Sequence, residues 1–276
     1  DWDAVRDLLR KNNIPVAPHI VSWPGKSTVS EILETGGEKL AIGTYSVLSN
    51  HLPNEYPAIK DKRAGIQDMG SQLVSEIFFA TKNDAPQKWL DLCAGPGGKA
   101  ALLHNLLQVE KPNDGFLANE PTQHRAELVA RVVPKNKIVS FDGRDFASFN
   151  ETYDRILIDA PCTGLGALRR RPEARWRRSI NDLKELLPLQ RELIDSAYQM
   201  LNPGGIIGFV TCSPLLAETK SQVLDAKYRH KDLSILDISK YSPSGQTGVN
   251  DDGTMQLWTH LDGSDSMFMA LLQKSA

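Results

Sequence analysis

Apolar positions along this chain follow two periods, and the switch between them recurs often enough to define an architecture. From Gly70 onward short apolar runs alternate with segments whose apolar residues return every three or four positions. Ser71–Ala80 carries a helical face, Lys88–Leu92 is a short buried strand, and Gly98–Leu107 continues as a helix beyond a Gly-rich turn. Gly115–Glu120 predicts a second strand, 122–131 a helix, and Lys137–Phe141 a third strand. Tyr153–Asp159 is apolar at three consecutive positions, as a strand covered on both faces should be. Pro188 fits a first helical turn, with Leu189, Leu193, Ile194, Ala197 and Leu201 lining one face after it. Asn202–Gly205 stops that helix and Gly205–Thr211 is a fifth strand, while Met255–Trp258 and Ser266–Leu272 predict closing hairpin strands. Repeated βα units of this kind imply an α/β fold with a doubly wound, mostly parallel sheet. The first 62 residues differ. A helix end over Asp1–Lys11 and short Pro- and Gly-punctuated strands within Ile14–Trp23 and Leu40–Leu48 predict a small α+β module, leaving 63–276 as the main domain.

Composition narrows the function classes. With 276 residues, 41% hydrophobic and 24% charged, the chain is an ordinary globular sequence, which excludes disorder and fibrous repeats. No run approaches the roughly 18 apolar residues of a membrane span, and no signal-peptide pattern opens the chain. Three cysteines without a CxxC pair, and histidines without HxH or HExxH spacing, argue against a disulfide scaffold or a metal site. These features predict a cytoplasmic, metal-free monomer. The chain opens on Asp1 and not methionine, as a segment with sequence upstream would. A net charge of −2 counts mildly against a nucleic-acid partner, but Arg169–Arg178 holds six arginines and one glutamate.

The strand-to-helix turn Asp91-Leu-Cys-Ala-Gly-Pro-Gly-Gly-Lys99 brings backbone amides close to a ligand beside a helix amino terminus. It is neither a GxGxxG fingerprint nor a phosphate loop. Glu120 ends the next strand, 25 positions beyond Gly95, where a doubly wound fold holds a carboxylate for ribose hydroxyls. Asp142 follows the third strand. Gly, Glu and Asp at three successive strand ends point to an adenosine-type ligand. Asp159-Ala-Pro-Cys162 then closes the fourth strand and Thr211-Cys212-Ser213-Pro214 the fifth, so two thiols and a carboxylate converge on the crevice that would hold the nucleoside. Either cysteine alone is most simply a small buried apolar residue; two at strand ends beside an acid favour chemistry. Methylating carbon 5 of a pyrimidine needs a nucleophile at C6, and a thiol of pKa about 8.5 must be activated for that work.

The strings DLCAGPGGK, NE, DGR, DAPCTGLGALRRRPEARWRR and TCSP, in this order, resemble the RsmB-type (Sun/Fmu) RNA cytosine-C5 methyltransferases. The resemblance runs from about Arg63 to the C-terminus, from Ala64-Gly-Ile-Gln-Asp68 and the Ser71-Gln72 pair to His260, Gly263, Asp265 and Phe268. It implies a Rossmann-like class I methyltransferase fold with a seven-stranded sheet and S-adenosylmethionine as cofactor. Carried over by motif, Cys212 would attack C6, Cys162 would assist proton removal and release, and Asp159 would hold the cytosine. Cys93, Ala94, Gly95, Pro96, Gly97, Gly98, Lys99, Glu120, Asp142 and Asp159 would line the cofactor. The chain departs from the pattern at CAGPGG, where CAAPGG is commoner, and at His260, which follows threonine and not proline. RsmB-type members often carry an N-terminal NusB-like RNA-binding domain, which this chain begins too late to contain.

The resemblance implies an RNA partner, ribosomal RNA first and transfer RNA as the nearest alternative. Arg169, Arg170, Arg171, Arg175, Arg177 and Arg178, with Trp176 among them, fit phosphate pairing and base stacking better than a merely solvated face. A target cytosine in structured RNA would have to leave its stack to reach Cys212. DNA methylation fits poorly, because there the attacking cysteine belongs to the motif after the fourth strand and TCSP would be unexplained. A non-catalytic RNA-binding assembly factor would need a lost catalytic position, and none is lost. A thiol-redox protein lacks its CxxC. Residues 1–62 are expected to guide RNA.

Overall fold

A computed structural model describes residues 2–276. The amino-terminal region contains α1 (Trp2–Lys11), β1 (His19–Ser22), α2 (Val29–Thr35), β2 (Glu38–Lys39), β3 (Ser46–Leu48), α3 (Pro57–Lys60) and β4 (Ala64–Ile66). Its four strands form an antiparallel sheet in the order β2-β3-β1-β4, so the sheet reaches past residue 62 into Ala64–Ile66. Alternation along β1 explains how this sheet is held. Ile20 packs with Ile32, Val47, Tyr56 and Ala64 in a small core of its own. Val21 belongs instead to the large core, with Leu73, Ile77 and Phe78 of α4 (Met69–Ala80). Each such side chain, fully withdrawn from water, contributes roughly 1.5–3 kcal/mol, and this second face seats the module on the rest of the chain.

Beyond α4 come β5 (Lys88–Asp91), α5 (Gly98–Glu110), β6 (Gly115–Asn119), α6 (Gln123–Val129), β7 (Ile138–Val139) and β8 (Tyr153–Asp159). They are followed by α7 (Ala174–Arg177), α8 (Ile180–Met200), β9 (Leu201–Thr211), α9 (Lys220–Arg229), β10 (Leu233–Leu236), β11 (Met255–Gln256), α10 (Thr259–Asp262) and β12 (Phe268–Lys274). The large sheet runs β10-β12-β9-β8-β5-β6-β7, with the two-residue β11 paired to β12 as an eighth strand beside the expected seven. β5 through β9 pair in parallel, whereas β12 is antiparallel to β9, β10 and β11. Both faces are covered. In β8, Leu157 points into the core shared with α4 and α5, and Ile156 and Ile158 into the core shared with Leu193 and Ala197 of α8. Chain order reverses between β5 and β8, and a doubly wound sheet opens its ligand crevice at that point.

Several elements differ from the sequence reading. β9 begins at Leu201, which the apolar pattern assigns to a helix face, and takes in Asn202–Gly205, because α8 already ends at Met200. Pro188 does not open a helix; α8 begins eight residues earlier, at Ile180. Ser179 and Asp182 form a reciprocal cap there, with the Ser179 amide donating to Asp182 Oδ2 at 2.7 Å and the Asn181 amide to Ser179 Oγ at 3.3 Å. Pro188 is exposed, so the hydrogen bond it removes falls on the solvent side of the helix. The third strand spans Ile138–Val139 and not Lys137–Phe141, because the Asn119 side chain takes over the pairing of Phe141, accepting from its amide at 2.9 Å and donating to its carbonyl at 3.1 Å. The α9–β10 pair that completes the sheet has no counterpart in the sequence reading.

Candidate active site

Parallel register brings the functional side chains together. Asp159 lies opposite Val210 in the β8–β9 pairing, so the segments leaving both strands run side by side. Cys162 and Cys212, three and two residues further on, place their sulfurs 3.4 Å apart, both partly exposed. Gly166 holds the segments at this separation. Its amide donates to the Cys212 carbonyl and its carbonyl accepts from the Ser266 amide, each at 2.9 Å. A Cβ at this position would sit 2.1 Å from Ser266 O and 2.8 Å from Cys212 O, so glycine is required for the close approach.

The two thiols are not equivalent. The hydrogen bond from Cys162 draws the Cys212 pKa down, against burial, with Lys99 also favouring the thiolate. The same contact, together with burial, pushes Cys162 well above the ordinary thiol range. The two directions diverge, so Cys212 is the thiol more readily ionised. Lys99, at the start of α5, donates to Asp159 Oδ2 at 2.8 Å with its side chain only 9% exposed. Burial opposes the Lys99 charge, but Asp159 more than offsets it and the pKa is raised. Cys93 is pushed well up by burial and by Asp91, so it stays a thiol and packs.

The turn after β5 meets the expected cofactor residues. Gly97 adopts a positive φ of 115° as the cap of α5. A Cβ on Gly95 would lie 2.1 Å from Glu120 Oε2, so only glycine lets that carboxylate sit against the turn. Glu120 is buried, accepts from the Thr122 amide at 2.9 Å and lies 3.4 Å from Arg125, whose guanidinium also donates to the Gly95 carbonyl. Ala94 is tied to β6 through its amide and the Asn119 carbonyl at 2.9 Å. Asp142 is exposed and paired with Arg144 at 2.6 Å, a hydrogen-bonded contact that holds its carboxyl at about 2. Asp91, which the sequence reading left out of the site, is wholly buried at the end of β5, and among the described residues no side chain hydrogen-bonds either of its oxygens. Burial and the neighbouring Asp159 push it to about 7. A buried carboxylate without a side-chain donor, beside a glycine turn and a second buried carboxylate, suits a ligand bearing an ammonium group and a ribose. The donor set therefore fits S-adenosylmethionine. The sequence signal for Asp91 was an acid closing an otherwise apolar strand.

The arginine run divides. Arg170 pairs with Asp265, a residue 1% exposed whose amide donates to Asp68 Oδ1 at 3.1 Å, so this arginine serves the fold. Arg169 donates to the Gly263 carbonyl at 2.6 Å and Arg175 to the Asn12 carbonyl at 2.7 Å. Arg178 bridges the Thr163 carbonyl and Asp182, each at 3.0 Å. Arg171 and Arg177 are exposed, and Trp176 is 83% exposed between them. Arg170→Ala would leave Asp265 buried and unpaired, so urea unfolding is expected to show a loss of about 3–5 kcal/mol. Arg171→Ala should stay within about 0.5 kcal/mol, and equal effects would contradict this division. Among the described residues, no group of His, Cys, Asp or Glu is placed to hold a metal ion, and no helix is long and apolar enough to cross a membrane.

The family model for the 16S rRNA methyltransferases RsmB/F matches residues 77–273. A Mycobacterium tuberculosis (strain ATCC 25618 / H37Rv) protein named only as a methyltransferase is 42% identical over 276 residues, covering 97% of this chain and 59% of its own length. Ribosomal RNA small subunit methyltransferase B of Pectobacterium carotovorum subsp. carotovorum (strain PC1) is 33% identical over 228 residues, 80% of this chain and 49% of that protein. The chain thus spans about half to three-fifths of the length of these curated relatives. The crystal structure of a methyltransferase homolog from Pyrococcus horikoshii shares the fold, with a TM-score of 0.77 at 20% identity over 97% of this chain and 90% of that one. The match to that family model over residues 77–273, on this fold, places the chain in the 16S rRNA methyltransferase RsmB/F family, whose members depend on S-adenosylmethionine.

Proposed function

We propose that this chain methylates carbon 5 of a cytosine in RNA, with small-subunit ribosomal RNA as the substrate, through a covalent bond between Cys212 and C6 of the base. The observation that carries the reading is the pair of sulfurs 3.4 Å apart beyond the ends of β8 and β9, with the Lys99–Asp159 pair on the neighbouring strand end. The Cys212 thiolate adds to C6, and the electrons of the C5–C6 double bond move onto C5 and the ring. When bound, S-adenosylmethionine supplies an electrophilic methyl group for that carbon. Asp91 would hold its ammonium group and Glu120 its ribose, with Asp142 and the turn Cys93–Lys99 completing the site. Asp159 orients the base through its exocyclic amine; Lys99 occupies Oδ2, leaving Oδ1 for that contact. While Cys212 is a thioether Cys162 gives its own proton to solvent, and once C5 carries the methyl group the Cys162 thiolate takes the C5 proton. The C5–C6 double bond then re-forms as the bond to Cys212 breaks, and the thiolate returns. Arg171, Arg177 and Trp176, exposed just past the Cys162 segment, are placed to meet phosphates and an unstacked base.

The test is methyl transfer from radiolabelled S-adenosylmethionine to unmodified small-subunit ribosomal RNA, with nucleosides separated by mass spectrometry. Label is expected in 5-methylcytidine. Label in 5-methylcytidine of transfer RNA alone would move the substrate, and label in neither RNA while the cofactor binds would overturn the reading.

A further inference from the structure

We propose that Glu218 is the positioning residue that locks the two cysteine-bearing segments into the arrangement the Cys212 nucleophile needs, a role that rests on the reaction proposed above. Beyond the ends of β8 and β9 no strand pairing holds these segments. Glu218 is wholly buried six residues after Cys212 and gathers donors from three separate parts of the chain. Its Oε1 accepts from the Thr163 amide at 2.8 Å and the Gln190 side chain at 3.3 Å. Its Oε2 accepts from the Thr163 hydroxyl at 2.5 Å and the Ser213 hydroxyl at 2.6 Å. Thr163 directly follows Cys162 and Ser213 directly follows Cys212, so one carboxylate grips the residue after each thiol. Gln190 extends the clamp from α8, donating also to the Pro161 carbonyl at 2.8 Å, immediately before Cys162.

Burying a carboxylate is unfavourable unless donors replace its water, and four converge here. An apolar side chain could fill the same space but could not fix two hydroxyls and an amide in register. The charge matters as well as the geometry. Glu218 adds to the hydrogen bond and the burial that push the Cys162 thiol up, which widens the difference between the two thiols, while its grip on Thr163 and Ser213 holds the Cys162–Cys212 contact that draws Cys212 down. Glu218 reaches neither sulfur by hydrogen bond; it acts through Thr163 and Ser213.

The experiment needs neither RNA nor cofactor. Alkylation of Cys162 and Cys212 by iodoacetamide is followed against pH by peptide mass spectrometry in the wild-type chain and in Glu218→Gln. The amide keeps the shape and can still offer its oxygen to the Thr163 amide, but it loses the charge and one acceptor. Wild-type Cys212 should react first. In Glu218→Gln the alkylation midpoint of Cys212 should rise by about one pH unit, a roughly tenfold slower reaction at pH 7. The preference for Cys212 over Cys162 should fall with it, while circular dichroism and S-adenosylmethionine affinity hold. On RNA, kcat should drop with KM little changed. A folded Glu218→Gln chain with the wild-type alkylation profile overturns the role. If that variant does not fold, Ser213→Ala removes one of the four donors and is read the same way, an unshifted profile again overturning it. A wild-type chain in which Cys212 reacts no faster than Cys162 overturns the underlying nucleophile assignment, and this role with it.

Discussion

Replacing Cys212 with alanine should abolish methyl transfer, by on the order of 10⁴-fold or more in kcat, because removal of a covalent nucleophile leaves only binding and orientation. The fold should survive, since Cys212 sits at a strand end and its backbone carbonyl, the group that Gly166 holds, is retained. Cofactor affinity should hold for the same reason. Serine in its place should fare little better. Its hydroxyl ionises far less readily than a thiol that Cys162 and Lys99 both draw toward thiolate, so the geometry remains and the nucleophile is lost. Single-turnover assays with saturating RNA check this. Turnover within tenfold of wild type in Cys212→Ala would remove the covalent mechanism altogether.

Cys162→Ala should instead accumulate an RNA–protein adduct that survives denaturing electrophoresis, with multiple turnover falling below detection. The expectation follows from the coupling of the two sulfurs. While Cys212 is a thiolate, its hydrogen bond keeps the proton on Cys162. Once Cys212 becomes a thioether it carries no charge, the like-charge penalty on a second thiolate disappears, and Cys162 can release its proton to solvent and then take the C5 proton. Removing Cys162 stops that last step but not the first. The pH dependence supplies an independent check. Cys162 lowers the Cys212 pKa by donating to it, so its loss must raise that pKa, and adduct formation should slow at neutral pH and recover as the pH rises. Normal turnover in Cys162→Ala, or an adduct whose formation rate does not move with pH relative to wild type, would contradict the division of labour between the thiols.

The legible parts of the fold were those set by short-range pattern. Tyr153–Asp159 forms a strand over the limits its apolar run predicts, because an uninterrupted run bounded by polar residues has one way to be covered on both faces. Pro188 misled because proline marks first turns only when no better cap lies upstream, and Ser179 with Asp182 is one. β10 escaped because four residues at a sheet edge, two of them only half-buried, carry almost no periodic signal.

The site divides along the same line. Residue types and order along the chain placed Cys162, Cys212 and Asp159 at neighbouring strand ends, since a doubly wound sheet sends every parallel strand end to one edge. Which of them touch was not legible. Nor was the fate of the arginines: Arg170 and Arg171 are adjacent and chemically identical in sequence, and only the burial of Asp265 beside one of them separates a fold-holding charge from an exposed one. Glu218 looks like any acidic residue near a helix start until the donors at Thr163, Ser213 and Gln190 surround it. Sequence alone thus determined the architecture, the glycine turn after β5 and the presence of a thiol just beyond two strand ends, because each is written in a short local string. Tertiary structure alone decided which charges are paired and which sulfurs lie in contact. Those depend on burial and on distances of about 3 Å between groups that lie far apart along the chain.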